Sequence, residues 1–160
     1  MELYFKDTFF SSGKTEILDV SGQGAGMLDL KGALGSSIDV FDKSGQFAYG
    51  GGFRFFSNKW IVKDSANNEI GMLRYRFSFL SKRFTYETSG RGTYEITSPA
   101  FSKEYEIADD TGRLIARFDR VSSWLLPSAY RLVIDSSRLG EYELVCVVMG
   151  MHEIQKRHNN

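Results

Sequence analysis

Residues 142–151 read YELVCVVMGM. From Leu144 to Met151 only Gly150 interrupts a run of apolar side chains, and the chain contains no longer one. Glu141 and Glu143 stand at the start of this segment and Lys156 and Arg157 at its end, an order that complements a helix dipole. On a helix, Leu144, Val145, Cys146, Val147, Val148, Met149, Met151 and Ile154 surround the axis and leave no polar face. A helix that is apolar all round is a buried helix. Residues 141–157 would span about 25 Å at 1.5 Å per residue. The competing reading is one more β-strand, which Val145, Val147 and Val148 favour, because periodicity does not separate a buried strand from a buried helix. The choice depends on what the rest of the chain would enclose.

That remainder is written in strands and turns. The chain has 160 residues, enough for one domain over 1–160 with a sizeable core. Its 13 Phe and 8 Tyr favour strands, and its 16 Gly against 2 Pro favour tight turns over linkers. Lys plus Arg and Asp plus Glu both number 20, which argues against the basic balance of a dedicated nucleic-acid binder. The single cysteine, Cys146, excludes an internal disulfide and fits a reducing compartment. The opening MELYFKDTFF has no basic segment followed by a long apolar one, so no signal peptide is expected. The greasy run is far shorter than the roughly 20 residues of a membrane-spanning helix. A cytoplasmic protein, free or peripheral to a membrane, is the expectation.

One unit recurs along the chain. GKTEILDVSGQ (13–23), SSIDVFDKSGQ (36–46), NKWIVKDSANNE (58–69), KRFTYETSGRG (82–92), KEYEIADDTGR (103–113) and SAYRLVIDSS (128–137) each run from a β-branched or aromatic stretch into Asp or Thr and then small polar residues. The turn positions Asp19, Asp42, Asp64, Thr88, Asp109 and Asp135 recur about every 21–26 residues. Second turns are marked by Phe10-Ser11, Leu34-Gly35, Phe56-Ser57, Leu80-Ser81 and Phe101-Ser102. The unit is a β-hairpin. Between turns the pattern has period two: in GMLRYRFSFL, Leu73, Tyr75, Phe77 and Phe79 share one face, and Met72, Arg74, Arg76 and Ser78 the other.

Five to six hairpins give about 10–12 antiparallel strands, and a sheet that long tends to close and so remove its edges. A barrel of that size is too wide for its own side chains to fill, since roughly eight strands is the limit. The greasy segment is the natural plug. The expected fold is therefore mainly β: a closed antiparallel up-and-down barrel over about 2–135 around a buried hydrophobic C-terminal helix over about 141–157.

The hairpins at Gly13-Lys14, Phe56-Ser57-Asn58-Lys59, Leu80-Ser81-Lys82 and Phe101-Ser102-Lys103, the block KEYEIADDTGRLIARFDR and the apolar C-terminal segment together resemble the tubby C-terminal-like superfamily. The likeness covers nearly the whole chain and is strongest to its small LURP-one-related members, with phospholipid scramblases as relatives. It implies a 12-stranded barrel enclosing a hydrophobic C-terminal helix. On function it implies less: tubby domains are similar to membrane-phosphoinositide binders, and the acylated cysteines on which scramblases depend are not found here.

Two stretches are candidate contact sites. Arg74 and Arg76, with Lys82 and Arg83 at the following turn, form the densest positive patch, and guanidinium forks suit phosphate. The same cations can equally be a solvated strand face paired with neighbouring strands. Trp124, Leu125 and Leu126, before Pro127, form a hairpin tip that could enter a membrane interface or seal one mouth of the barrel. Gly22-Gln23-Gly24-Ala25-Gly26 lacks phosphate-loop spacing and reads as a turn, and Gly50-Gly51-Gly52 as a turn or bulge. His152 lies on the plug and His158 in the tail, so neither is expected to be catalytic or to bind metal, and Cys146 reads as inert packing. Asp109-Asp110, Glu104 and Glu106 read as surface. The expectation is a non-catalytic binding module without cofactor or metal, recognising an anionic membrane lipid or a phosphorylated ligand. The alternative is a protein-interaction scaffold with no lipid affinity.

Overall fold

A computed structural model describes residues 1–11, 13–32, 37–99, 104–122 and 128–159. Twelve strands follow one another: β1 (Glu2–Lys6), β2 (Gly13–Leu18), β3 (Gly24–Lys31), β4 (Ser37–Phe41), β5 (Phe47–Phe53), β6 (Trp60–Lys63), β7 (Glu69–Arg76), β8 (Ser81–Thr88), β9 (Thr93–Pro99), β10 (Tyr105–Ala108), β11 (Leu114–Val121) and β12 (Ala129–Ile134). A short 3-10 turn, Asp7–Phe10, follows β1, and one helix, α1 (Glu141–His158), follows β12. Each strand pairs antiparallel with its neighbours in sequence, and β1 pairs with both β2 and β12, which closes the barrel.

The Asp turns repeat in atomic detail. At Asp19, Asp42, Asp64 and Asp109, Oδ1 accepts the backbone N–H groups two and four residues on, at 2.8–3.0 Å. The residue three positions on is Gly22, Gly45, Asn67 or Gly112, each at a positive φ of 65–83° that glycine and asparagine tolerate best. The pairing register shifts at these same turns, so each hairpin ends in a bulge. Thr88 takes the Asp position in the fourth turn and donates from Oγ1 to the Gly92 carbonyl at 2.6 Å.

α1 lies inside the barrel, with Leu144 to Met151 all buried. The helical reading of this segment therefore holds over the strand alternative. Trp60 on β6 fixes its position: the indole Nε1 donates to the Cys146 carbonyl at 3.1 Å. Two glycines make room for that ring. A Cβ on Gly51 would come within 2.8 Å of it and one on Gly150 within 2.5 Å. Gly50-Gly51-Gly52 is thus the interior of β5 and not a turn or bulge, because Trp60 occupies the space where a side chain on Gly51 would stand.

The helix start is tied down separately. Glu143 is 1% exposed and accepts both Nη1 and Nη2 of Arg91 at 2.8 Å, and Tyr86 donates to the same carboxylate at 2.7 Å. Burial, and then the charge of Glu143, pushes the Tyr86 phenol far above its ordinary range. These contacts lie at the Asp-turn end, so α1 descends from that end toward the connections 54–59 and 77–80.

Gly150→Ala is expected to cost about 1–3 kcal/mol in chemical denaturation, because the added methyl meets the buried indole. Combining it with Trp60→Phe in a double-mutant cycle should return part of that loss, since the two sites share one contact.

Candidate functional site

The two ends of the barrel differ in chemistry. The Asp-turn end carries Asp19, Asp42, Asp64 and Asp109, whose carboxyls are held below the usual carboxylate range. The leading cause is a hydroxyl hydrogen bond from Ser21, Ser44 or Thr111, and for Asp64 the backbone N–H of Asn68. The opposite end presents large apolar side chains to solvent. Phe55 and Phe56 in the connection 54–59 are 84% and 96% exposed, and Phe77, Phe79 and Leu80 in 77–80 are 76%, 89% and 83% exposed. Their rings pair within each loop, Phe55 with Phe56 at 4.1 Å between centroids and Phe77 with Phe79 at 5.0 Å. Phe56 adopts φ +53°, a left-handed conformation that costs a non-glycine residue on the order of 1 kcal/mol.

The period-two reading placed Phe77 and Phe79 on the buried face of a continuing strand. In fact β7 ends at Arg76 and both rings stand clear of the barrel. Beneath them the predicted basic patch is divided. Arg74 pairs with Glu87, diagonally across β8, and so takes the solvated-face reading. Arg76 and Arg83 are direct cross-strand partners, both exposed, and neither has a carboxylate at ion-pair distance among the described residues. Like charges facing each other across a ladder repel. Lys82 and Arg83 belong to β8 and not to a turn, so successive side chains take opposite faces. Arg83 points outward, whereas Lys82 points to the barrel mouth with Phe84 and Tyr86 below it, and it does not join an outer patch.

The C-terminal turn of α1 closes part of this end. The Arg157 guanidinium lies 3.4 Å from the Phe53 ring centroid and donates to the Ser57 carbonyl at 3.3 Å, and His158 meets Tyr75 at 4.7 Å between centroids. Exposed Lys59 and Lys156 add charge around it, and Asp7 lies 3.7 Å from Arg120. Trp124, Leu125 and Leu126, the other predicted contact stretch, lie outside the described residues.

At the same end a cavity of about 160 Å³ separates α1 from the β8–β12 wall. Phe10, Phe118, Tyr130, Val148 and Met151 form its apolar sides, with Lys82, Tyr105, His152 and Gln155 as its polar members. His152 stacks on Phe10 at 3.8 Å and 14°. Burial holds its imidazole below the ordinary histidine range; Glu153 opposes that shift and Lys156 adds to it. Cys146 is buried, and burial pushes its thiol well up, consistent with inert packing.

Among the described residues no group of three or more His, Cys, Asp or Glu could hold a metal ion, and no helix is long and apolar enough to cross a membrane. Comparison with family models, curated proteins and solved structures returned no match. The exposed loop aromatics escaped the period-two reading, although the signal was there: Phe56-Ser57 and Leu80-Ser81 put large apolar residues where a turn needs none.

His152 gives a pH prediction. Its folded pKa lies below the ordinary 6.5, so on acidification the unfolded chain takes up the proton first. Stability should therefore fall as pH drops through about 6.5 toward the folded value, and be retained above it. His152→Phe, which keeps the stack on Phe10, should flatten that slope in denaturant titrations. The turn aspartates, held below the usual carboxylate range, act in a separate window: their contribution is present above about 3.8 and is lost as pH falls below it.

Proposed function

We propose that this protein is a non-catalytic module that docks on anionic membrane surfaces through the barrel end carrying the connections 54–59 and 77–80. The observation that carries this reading is the unneutralised pair Arg76 and Arg83 directly beneath the exposed Phe77, Phe79 and Leu80. Water solvates the guanidinium groups without neutralising their charge, and it leaves the apolar surface of the rings hydrated. An interfacial layer offers both: apolar acyl boundary for the rings and lipid phosphate for the guanidinium groups. Full burial of one such aromatic side chain is worth about 1.5–3 kcal/mol, and each cation near an anionic leaflet about 1 kcal/mol. The acidic turns at the far end favour the same orientation, with that end turned away from the surface. The likeness to the tubby C-terminal-like superfamily, whose tubby domains are similar to phosphoinositide binders, supports the same reading.

Vesicle co-sedimentation tests it. Binding is expected to phosphatidylcholine vesicles containing phosphatidylserine, to be weak on phosphatidylcholine alone, and to decline with salt, since exposed charge is screened over about 10 Å at 0.1 M. Arg76→Glu with Arg83→Glu should weaken it at least about 30-fold, the equivalent of two lost surface cations. Phe77→Ser with Phe79→Ser should weaken it without changing the salt slope. No binding to either vesicle would retire the membrane reading and leave the scaffold alternative, whose partner is a protein.

A further inference from the structure

We propose that the cavity at the barrel mouth is a binding site for a small monocarboxylate with an apolar body, of about one aromatic ring. The cavity follows from how the helix is held. Trp60, Gly51 and Gly150 draw α1 against the β4–β7 side, which leaves the β8–β12 side to be filled by side chains alone. Near the mouth that filling is incomplete by about 160 Å³, and an apolar cavity of about 150 Å³ is enough to take up benzene.

The walls select an apolar body. Phe118 stacks on Tyr130 at 5.4 Å and 4°, and Phe10 meets Tyr130 edge-on at 5.0 Å, so the aromatic sides are braced by one another. The polar groups select the other end. Lys82 Nζ stands 5.9 Å from the Tyr105 ring centroid and has no ion pair among the described residues. Gln155 Nε2 donates to the Tyr105 hydroxyl oxygen, which leaves the hydroxyl proton free to donate. The pocket therefore offers an ammonium and a phenolic O–H, and a neutral imidazole nearby, but no carboxylate of its own. One unpaired cation matches one negative charge, which favours a carboxylate over a phosphate dianion. The cavity is independent of the loop aromatics and of Arg76 and Arg83, so this inference goes beyond the membrane reading and does not rest on it.

The test is a titration of the full-length, isotope-labelled protein with benzoate and with its neutral isostere benzamide, followed by amide chemical shifts. Saturable shifts are expected around Lys82, Tyr105, His152 and Gln155 with benzoate, and at least tenfold weaker binding with benzamide. Lys82→Met, which keeps the stem, should weaken benzoate at least tenfold, and Lys82→Arg should retain it. The variant Phe77→Ser with Phe79→Ser should bind benzoate like the parent, which separates this site from membrane docking. The proposal is overturned if benzoate gives no saturable shifts at the cavity, if benzamide binds as well, or if Lys82→Met binds like the parent while its amide spectrum remains folded.

Discussion

A ring of twelve strands encloses more volume than its inward side chains can fill, and this constraint shapes the rest of the molecule. The apolar helix is the filler, and a helix inside a barrel has no surface left for a polar face. Its placement then becomes a matter of close approach. Trp60 reaches from β6 to the Cys146 carbonyl, and Gly51 and Gly150 are bare because that indole occupies the space where their side chains would be. The bidentate pair of Arg91 with the buried carboxylate of Glu143 fixes the other end of the helix against axial slip. A buried carboxylate without that partner would be costly, so the pair specifies a single depth of insertion.

Holding the helix to one side has a consequence at the far mouth. The β4–β7 wall meets the helix closely, while Phe10, Tyr105, Phe118 and Tyr130 span the remaining gap and leave a small cavity among them. The same up-and-down topology sorts charge. Among the described residues the turns at Asp19, Asp42, Asp64 and Asp109 fall at one end, because each hairpin places its first turn there, and the connections 54–59 and 77–80 fall at the other. A chain of zero net charge thus folds into a barrel whose ends differ: aspartates bound to their own turn backbone at one, exposed aromatics above the facing arginines Arg76 and Arg83 at the other. Phe56, at φ +53°, belongs to this second end, and such backbone strain persists only where the surrounding structure imposes it.

Much of this was legible in the sequence because it is local. Asp19, Asp42, Asp64 and Asp109 bond to amides within four residues, so turn chemistry alone locates them. Leu144 to Met151 lacks a polar face in any register, so its burial follows from composition. The candidate site was legible only in part. Arg74, Arg76, Lys82 and Arg83 are close in sequence, but period two sends Lys82 inward, and register gives Arg74 to Glu87 while setting Arg76 against Arg83. Where β7 stops also escapes the pattern: Phe77 and Phe79 continue the alternation, yet the ladder ends at Arg76.

The sequence by itself determined the hairpin repeat and the apolar plug, because these depend on spacing, turn residues and hydrophobicity, which act over a few residues. Only the tertiary structure decided that the helix is held off-centre, that a cavity remains beside Lys82 and His152, and that two facing arginines beneath exposed rings have no carboxylate at ion-pair distance among the described residues. Those features arise from contacts between residues as distant in the chain as Trp60 and Cys146 or Phe10 and His152, and no local pattern encodes the geometry of such pairs.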